Sequence, residues 1–253
     1  MSPSIYPRIG LIAFVLACML AVGAAAQPAP AQVTFLDPMA EGGNRTVPSN
    51  LSINSSAFSD AGCSFDGGYA NCSEAGLEER FGCSSIRNAS NDLGGLSPKL
   101  PVAECLIRGE DFASGSDKGI VSIGCMIPFY RRYIIEQDGK FKSISTKEEF
   151  RSLFAPVETP EEALSFAVAL TDSFSKFDTS IPEGYFPVVK NIEPTYVEDE
   201  KNGTYKVHLF QEEYCGCGTH PWYAIDYLVT RDGNVVEIDR QMILNSTELV
   251  CMD

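Results

Sequence analysis

Between Thr204 and Gln211 the chain alternates, with Tyr205, Val207 and Leu209 on one side and Lys206 and His208 on the other. A period of two marks a half-buried strand. It returns from Trp222 to Thr230, where Tyr223, Ile225, Tyr227 and Val229 share a face. Asn202-Gly203 and Asp232-Gly233 are hairpin-turn pairs, and Val235 to Ile238 resumes the strand pattern. Upstream, Tyr130 to Glu136 and Phe141 to Ile144 flank the turn Gln137-Asp138-Gly139-Lys140. These three turns predict antiparallel pairing.

In two places the period becomes that of a helix. Thr146-Lys147-Glu148-Glu149 fits a capping box and opens a short helix that stops before Pro156. Thr159-Pro160-Glu161-Glu162 fits one again, with Pro at the first helical position. The second helix carries Ala163, Ala167, Leu170 and Phe174 on one face, with Leu164 and Val168 alongside. One or two helices packed on one face of an antiparallel sheet define an α+β domain, which is the predicted fold class.

The pattern is weaker toward the N-terminus. Residues 61–126 set five cysteines among Gly, Ser, Asn and Asp, which predicts a disulfide-rich loop region with short strands. Residues 27–60 are rich in Pro, Ala, Ser, Asn and Gly and read as a glycosylated, poorly ordered leader. Before them, Arg8 precedes an uncharged apolar run from Ile9 to Ala26 that ends in Ala24-Ala25-Ala26. That is the layout of a signal peptide over residues 1–26. Two alternatives are a membrane anchor, for which a run of roughly 18 residues is at the lower limit, and a lipid-modified Cys18 in Val15-Leu16-Ala17-Cys18. The small-residue exit, followed by Gln27-Pro28-Ala29-Pro30, favours cleavage. No later segment is long and apolar enough to span a bilayer, so no membrane span is expected after cleavage. The expected organisation is a signal peptide, a leader, and one disulfide-stapled domain over 61–253, with a Cys-rich part (61–126) and a helix-and-sheet part (127–253).

Charge narrows the partners. The chain carries −15, and loss of Arg8 with the signal takes it to −16. Such a surface repels nucleic acid and anionic membranes; it suits a cationic partner, a cation-rich medium or simply solubility, and leaves the protein or small-molecule partner unknown. Cysteine usage fits a secreted or cell-surface location. Beyond Cys18 there are Cys63, Cys72, Cys83, Cys105, Cys125, Cys215, Cys217 and Cys251. An even number in an exported chain reads as a disulfide framework. Five lie before residue 126 and three after residue 214, so complete intramolecular oxidation requires a bridge between the groups.

Seven of the ten asparagines open an Asn-X-Ser/Thr triplet: Asn44, Asn50, Asn54, Asn71, Asn88, Asn202 and Asn245. Roughly one residue in seven is Ser or Thr, so chance would supply one or two. The excess points to a eukaryotic or archaeal host that glycosylates its exports.

The helix opened by Thr159-Pro160-Glu161-Glu162-Ala163, followed by a hairpin and then Tyr227-Leu228-Val229-Thr230-Arg231-Asp232-Gly233-Asn234-Val235-Val236, resembles the helix-plus-meander of PepSY-type modules and, more loosely, cystatin-like folds. The resemblance covers about residues 159–240 and implies an exported module, some members of which are linked to protease inhibition.

The densest candidate chemistry is the loop Cys215-Gly216-Cys217-Gly218-Thr219-His220-Pro221. Two thiolates with His220 would be a soft ligand set for zinc or copper, and a Cys-X-Cys pair could exchange disulfides. The plainer alternative sends each cysteine to a separate structural partner, Cys251 among them. His208, the other histidine, sits beside Lys206 in an alternating strand and reads as exposed and inert. No Gly-X-Ser-X-Gly elbow, His-Glu-X-X-His helix or phosphate-cradling loop occurs. No catalytic residue and no cofactor is assigned. The sequence reads as an exported disulfide-stabilised glycoprotein with a non-enzymatic binding, inhibitor-like or surface-structural role. The alternative is a redox or metal-handling protein that uses Cys215, Cys217 and His220.

Overall fold

The computed structural model describes residues 34–35, 44–66, 69–109, 119–178, 180–248 and 250–252. The segment expected to be a signal peptide (1–26) and most of 27–43 lie outside the described residues. The described chain begins with β1 (Thr34–Phe35), β2 (Arg45–Thr46), a one-turn α1 (Ser56–Asp60), β3 (Ser64–Asp66), β4 (Tyr69–Asn71) and α2 (Leu77–Phe81). Next come β5 (Ser85–Asn88), a 3-10 turn (Asn91–Gly95), β6 (Val102–Arg108), β7 (Val121–Ile123), β8 (Phe129–Gln137), β9 (Lys140–Ile144), α3 (Lys147–Phe154) and α4 (Pro160–Leu170). The last stretch holds β10 (Tyr185–Pro187), β11 (Asn191–Ile192), β12 (Tyr196–Asp199), β13 (Thr204–Glu212), β14 (Gly216–Gly218), β15 (Trp222–Thr230), β16 (Val235–Ser246) and β17 (Val250–Met252).

The fold is mostly β, and this corrects the α+β expectation. Two antiparallel sheets dominate: six strands in the order β10-β16-β15-β13-β12-β2, and seven in the order β3-β4-β5-β6-β8-β7 with β9 also on β8. The expected helices exist, but they are not laid on one face of one sheet with a side to solvent. From Glu162 to Leu170 every residue of α4 is buried, and a helix apolar on all sides needs walls on all sides. The main core supplies them. Val102, Tyr133, Ile135 and Ile144 of the seven-stranded sheet share it with Val197, Val207, Leu209, Ile225 and Val229 of the six-stranded sheet, and with α3 and α4.

The helix starts are as the sequence predicts. The Thr146 and Thr159 hydroxyls accept from the backbone N–H of Glu149 and Glu162, whose carboxylates bond back to the caps. At its end α4 stops at Leu170, so Phe174 is not on it but bridges to Phe210. Arg131 and Tyr133 of β8 receive that helix end. Arg131 donates to the carbonyls of Val168 (3.3 Å) and Thr171 (3.4 Å), and the Tyr133 hydroxyl to that of Ala169 (3.1 Å). A buried cation against exposed helix carbonyls is the favourable pole arrangement.

The short, bridge-pinned strands expected in 61–126 are present among its described residues, but they are paired into a sheet rather than set in a loop region. They form β3 to β7 of the seven-stranded sheet, and β6 is a central strand buried from Val102 to Ile107. The far face of that sheet packs Ile86, Ala103, Ile107 and Ile134 with Phe58 and four cysteines in a second core. The leader expected over 27–60 is corrected in part. Phe58 is fully buried, and Leu51 and Ile53 pack on the main core, so 44–60 belong to the fold. Three sparse apolar residues, Leu51, Ile53 and Phe58, dock an arm whose composition is otherwise that of a linker.

Candidate functional site

The Cys215–Pro221 loop is a junction of bridges. Cys125 pairs with Cys215, the crossing link that the odd group counts require, and Cys217 pairs with Cys251 across β14 and β17. Cys63–Cys72 and Cys83–Cys105 complete the set. In this pairing Cys215 and Cys217 are bridged to separate partners rather than to each other, and a sulfur held in a disulfide is not a thiolate ligand. His220 is buried; its backbone N–H donates to Ser246 Oγ (3.0 Å) and its Nδ1 lies 3.3 Å from the Glu213 carbonyl. Among the described residues no group of three His, Cys, Asp or Glu side chains is placed to hold a metal ion.

Six of the seven asparagines in Asn-X-Ser/Thr triplets lie on the surface. Asn44, Asn50, Asn54, Asn71, Asn88 and Asn202 are exposed, and Asn245, inside β16, is half-buried. Asn202 sits in the tight β12–β13 turn, where Lys201, Asn202 and Gly203 all have positive φ (71°, 56° and 75°). A turn so shaped projects its side chains to solvent.

The structure also assembles a group that the sequence did not announce. β13 and β15 are antiparallel, with His208 opposite Asp226 and Phe210 opposite Ala224. These four face away from the main core, where Leu209 and Ile225 point. His208 is only 9% exposed, which corrects the expectation of an exposed histidine. Its cover comes from Tyr196 of β12, stacked on the imidazole at 4.9 Å with a 6° interplanar angle, and from Phe210 edge-on at 5.5 Å. Arg45 lies over the Tyr196 ring at 4.1 Å and reaches Glu193 and Glu198, each at 3.3 Å. Burial, reinforced by Asp226, raises the Tyr196 hydroxyl well above the ordinary phenol range. Lys206, 2.8 Å from Glu198, together with Arg45, holds that carboxylate below the usual range.

His208 Nδ1 is 2.6 Å from Asp226 Oδ1, and its Nε2 has no hydrogen-bond partner among the described residues. A proton shared on the Nδ1 side leaves Nε2 as an acceptor. The ring borders a cleft of about 220 Å³ with Glu193, Asn191 and Gln241. Among the described residues no hydroxyl or thiol lines that cleft.

A larger, more apolar cleft of about 410 Å³ lies between Arg108, Met126, Ile127 and Phe129. Met126 is 78% exposed and Ile127 53%, on the loop that Cys125 ties to Cys215. Among the described residues no helix is long and apolar enough to cross a membrane. No protein-family model matches this chain, and no curated protein or solved structure matches it.

Proposed function

We propose that the chain is an exported, N-glycosylated binding protein, stapled by its four bridges for life outside the reducing cytosol. The observation that carries the reading is the surface position of six acceptor asparagines on a domain whose eight cysteines after the signal are all paired. Exposed acceptors can be modified without unfolding the domain, and paired cysteines persist in an oxidising compartment. The binding role draws on Met126 and Ile127, since exposed apolar groups around a cleft mark interaction surfaces. An inhibitor-like role, as the PepSY-type likeness of 159–240 implies, is one form of that binding.

The test is secretion of the full chain from a glycosylating host, then enzymatic removal of glycans and peptide mass mapping without reductant. The expected result is a mature N-terminus near Gln27, no free thiol, and a mass change at exposed acceptors, Asn202 among them. A retained chain that starts at Met1 with unmodified acceptors overturns the proposal.

A further inference from the structure

We infer that a glycan on Asn50 is held against the protein, with its first sugar seated in the cleft beside Phe177. The inference rests on the glycoprotein reading and adds a specific sugar contact to it.

Asn50 differs from most of the other acceptors in what its amide does. Asn54, Asn71 and Asn245 accept through Oδ1 from the backbone N–H groups of Ser56 (2.9 Å), Ser73 (3.2 Å) and Ser246 (3.0 Å). Asn44 donates through Nδ2 to the Asp199 carbonyl at 3.4 Å. No hydrogen bond to a described residue ties the amide of Asn50, and its φ of 58° puts it at the apex of a bend after Pro48 and Ser49. Asn88 and Asn202 are comparably free, but they stand at a strand end and at a hairpin tip. Asn50 instead borders a cleft of about 350 Å³ whose other walls include Val47, Leu51, Asp92 and Phe177. That is the small end of ligand-pocket size, the scale of a single sugar.

The lining suits a sugar ring. Phe177 is 42% exposed and has no aromatic partner among the described residues. A pyranose presents an apolar C–H face, which an aromatic ring covers well, and a rim of hydroxyls that needs polar neighbours. Asp92, also in the lining, supplies such a neighbour. Its carboxylate is fixed by the Ser90 and Ser175 hydroxyls, at 2.9 and 2.6 Å. The sugar would thus bridge three segments: the arm at Asn50, the 3-10 turn at Asp92, and the chain after α4 at Phe177. The arm is already held one residue on, where Leu51 packs on the core and the Ser52 backbone lies so close to Gly94 that a side chain there would collide.

The experiment is a cycle on secreted full-length protein, read by glycopeptide mapping and by the thermal unfolding midpoint. Ser52→Ala removes the acceptor pattern and leaves Asn50 in place; Phe177→Ala removes the ring. With the glycan present, Phe177→Ala should lower the midpoint by about 2–4 °C, the shift expected for roughly 1 kcal/mol in a domain of this size. In the Ser52→Ala background it should do much less. Trimming with an endoglycosidase that leaves one N-acetylglucosamine should preserve the midpoint, because the first sugar makes the contact. Occupancy at Asn50 with additive effects of the two substitutions overturns the cradle and leaves the glycoprotein reading standing. An unmodified Asn50 beside occupied acceptors overturns it equally. If no acceptor is modified, both readings fall.

Discussion

His208 and Asp226 stand directly opposite each other on β13 and β15, 2.6 Å apart, beneath the ring of Tyr196. Since Nε2 has no partner among the described residues, Asp226 is the one group that satisfies the buried imidazole. Asp226→Ala should destabilise by about 1–3 kcal/mol, the cost of leaving a buried polar group unpaired. The double change of His208→Phe with Asp226→Leu removes both partners and should cost less than Asp226→Ala alone. Urea unfolding of the three proteins checks this; a near-neutral Asp226→Ala would show that the pair does not hold the sheet.

Alkali should find Tyr133. Burial pushes this phenol up to about 12, against the pull of the neighbouring Arg131 cation. The unfolded chain ionises near the usual value of about 10, so between the two the folded state holds the extra proton. The contribution is therefore complete below pH 10 and is lost as pH rises toward 12. Tyr133→Phe should flatten that part of the stability curve. At neutral pH it should cost about 0.5–1.5 kcal/mol for the bond to Ala169. Unfolding followed by circular dichroism at a series of pH values gives both numbers.

Arg131 should tolerate no neutral replacement. Besides the two carbonyls of the α4 end, it faces Asp172 at 3.6 Å and the Tyr133 hydroxyl at 3.4 Å. Arg131→Met leaves these acceptors without a donor, at about 3–5 kcal/mol. Arg131→Lys keeps the charge but cannot fork to both carbonyls, and should recover only part. Equal stability of Arg131→Met and the parent would mean that water takes over these contacts.

Joint replacement of Cys125 and Cys215 by Ser opens a loop with a sequence separation of 90. On the chain-entropy account this costs about 4–5 kcal/mol, more than loss of the shorter Cys63–Cys72 loop. Guanidinium unfolding of the two double variants should show that order.

Gly95 is where the 3-10 turn meets α4. A methyl there would collide with the Glu161 carbonyl and, at 2.5 Å, with Ser165 Oγ. Gly95→Ala should therefore force the turn off the helix and destabilise more than Gly139→Ala, which has open space around it but strains a turn at φ 73°. A comparison of their melting midpoints decides.

What the sequence told, it told through local rules. Thr146 and Thr159 read as caps because the capping Glu stands three residues on, and both boxes form. Asp138-Gly139 and Asn202-Gly203 read as turns because positive φ favours those residues, and both turns close hairpins. The fold class did not follow from these pieces, since nothing local says that α4 has a second sheet behind it. The run Val102 to Ile107 was the available signal: it is apolar enough for a strand buried on both faces, but the cysteine and glycine content around it suggested loops. The His208–Asp226 pair was not legible at all. The two strands are joined by a loop from Glu213 to Pro221 with no tight turn to set their register, so which residue faces His208 is decided by the assembled sheet.

The span of the crossing bridge also sets a timetable. Cys63 meets Cys72 after 9 residues and Cys83 meets Cys105 after 22, but Cys125 must wait for a partner 90 residues behind it. At the usual pace of synthesis, about 5–20 residues per second, that wait lasts on the order of 5–20 s. On the proposed export route, the emerging chain carries Cys125 as an unmatched thiol beside the Cys63–Cys72 and Cys83–Cys105 pairs during that wait, in a compartment that oxidises thiols. Wrong partners are then available before the right one exists, and thiol–disulfide exchange is the step that reverses an early mistake.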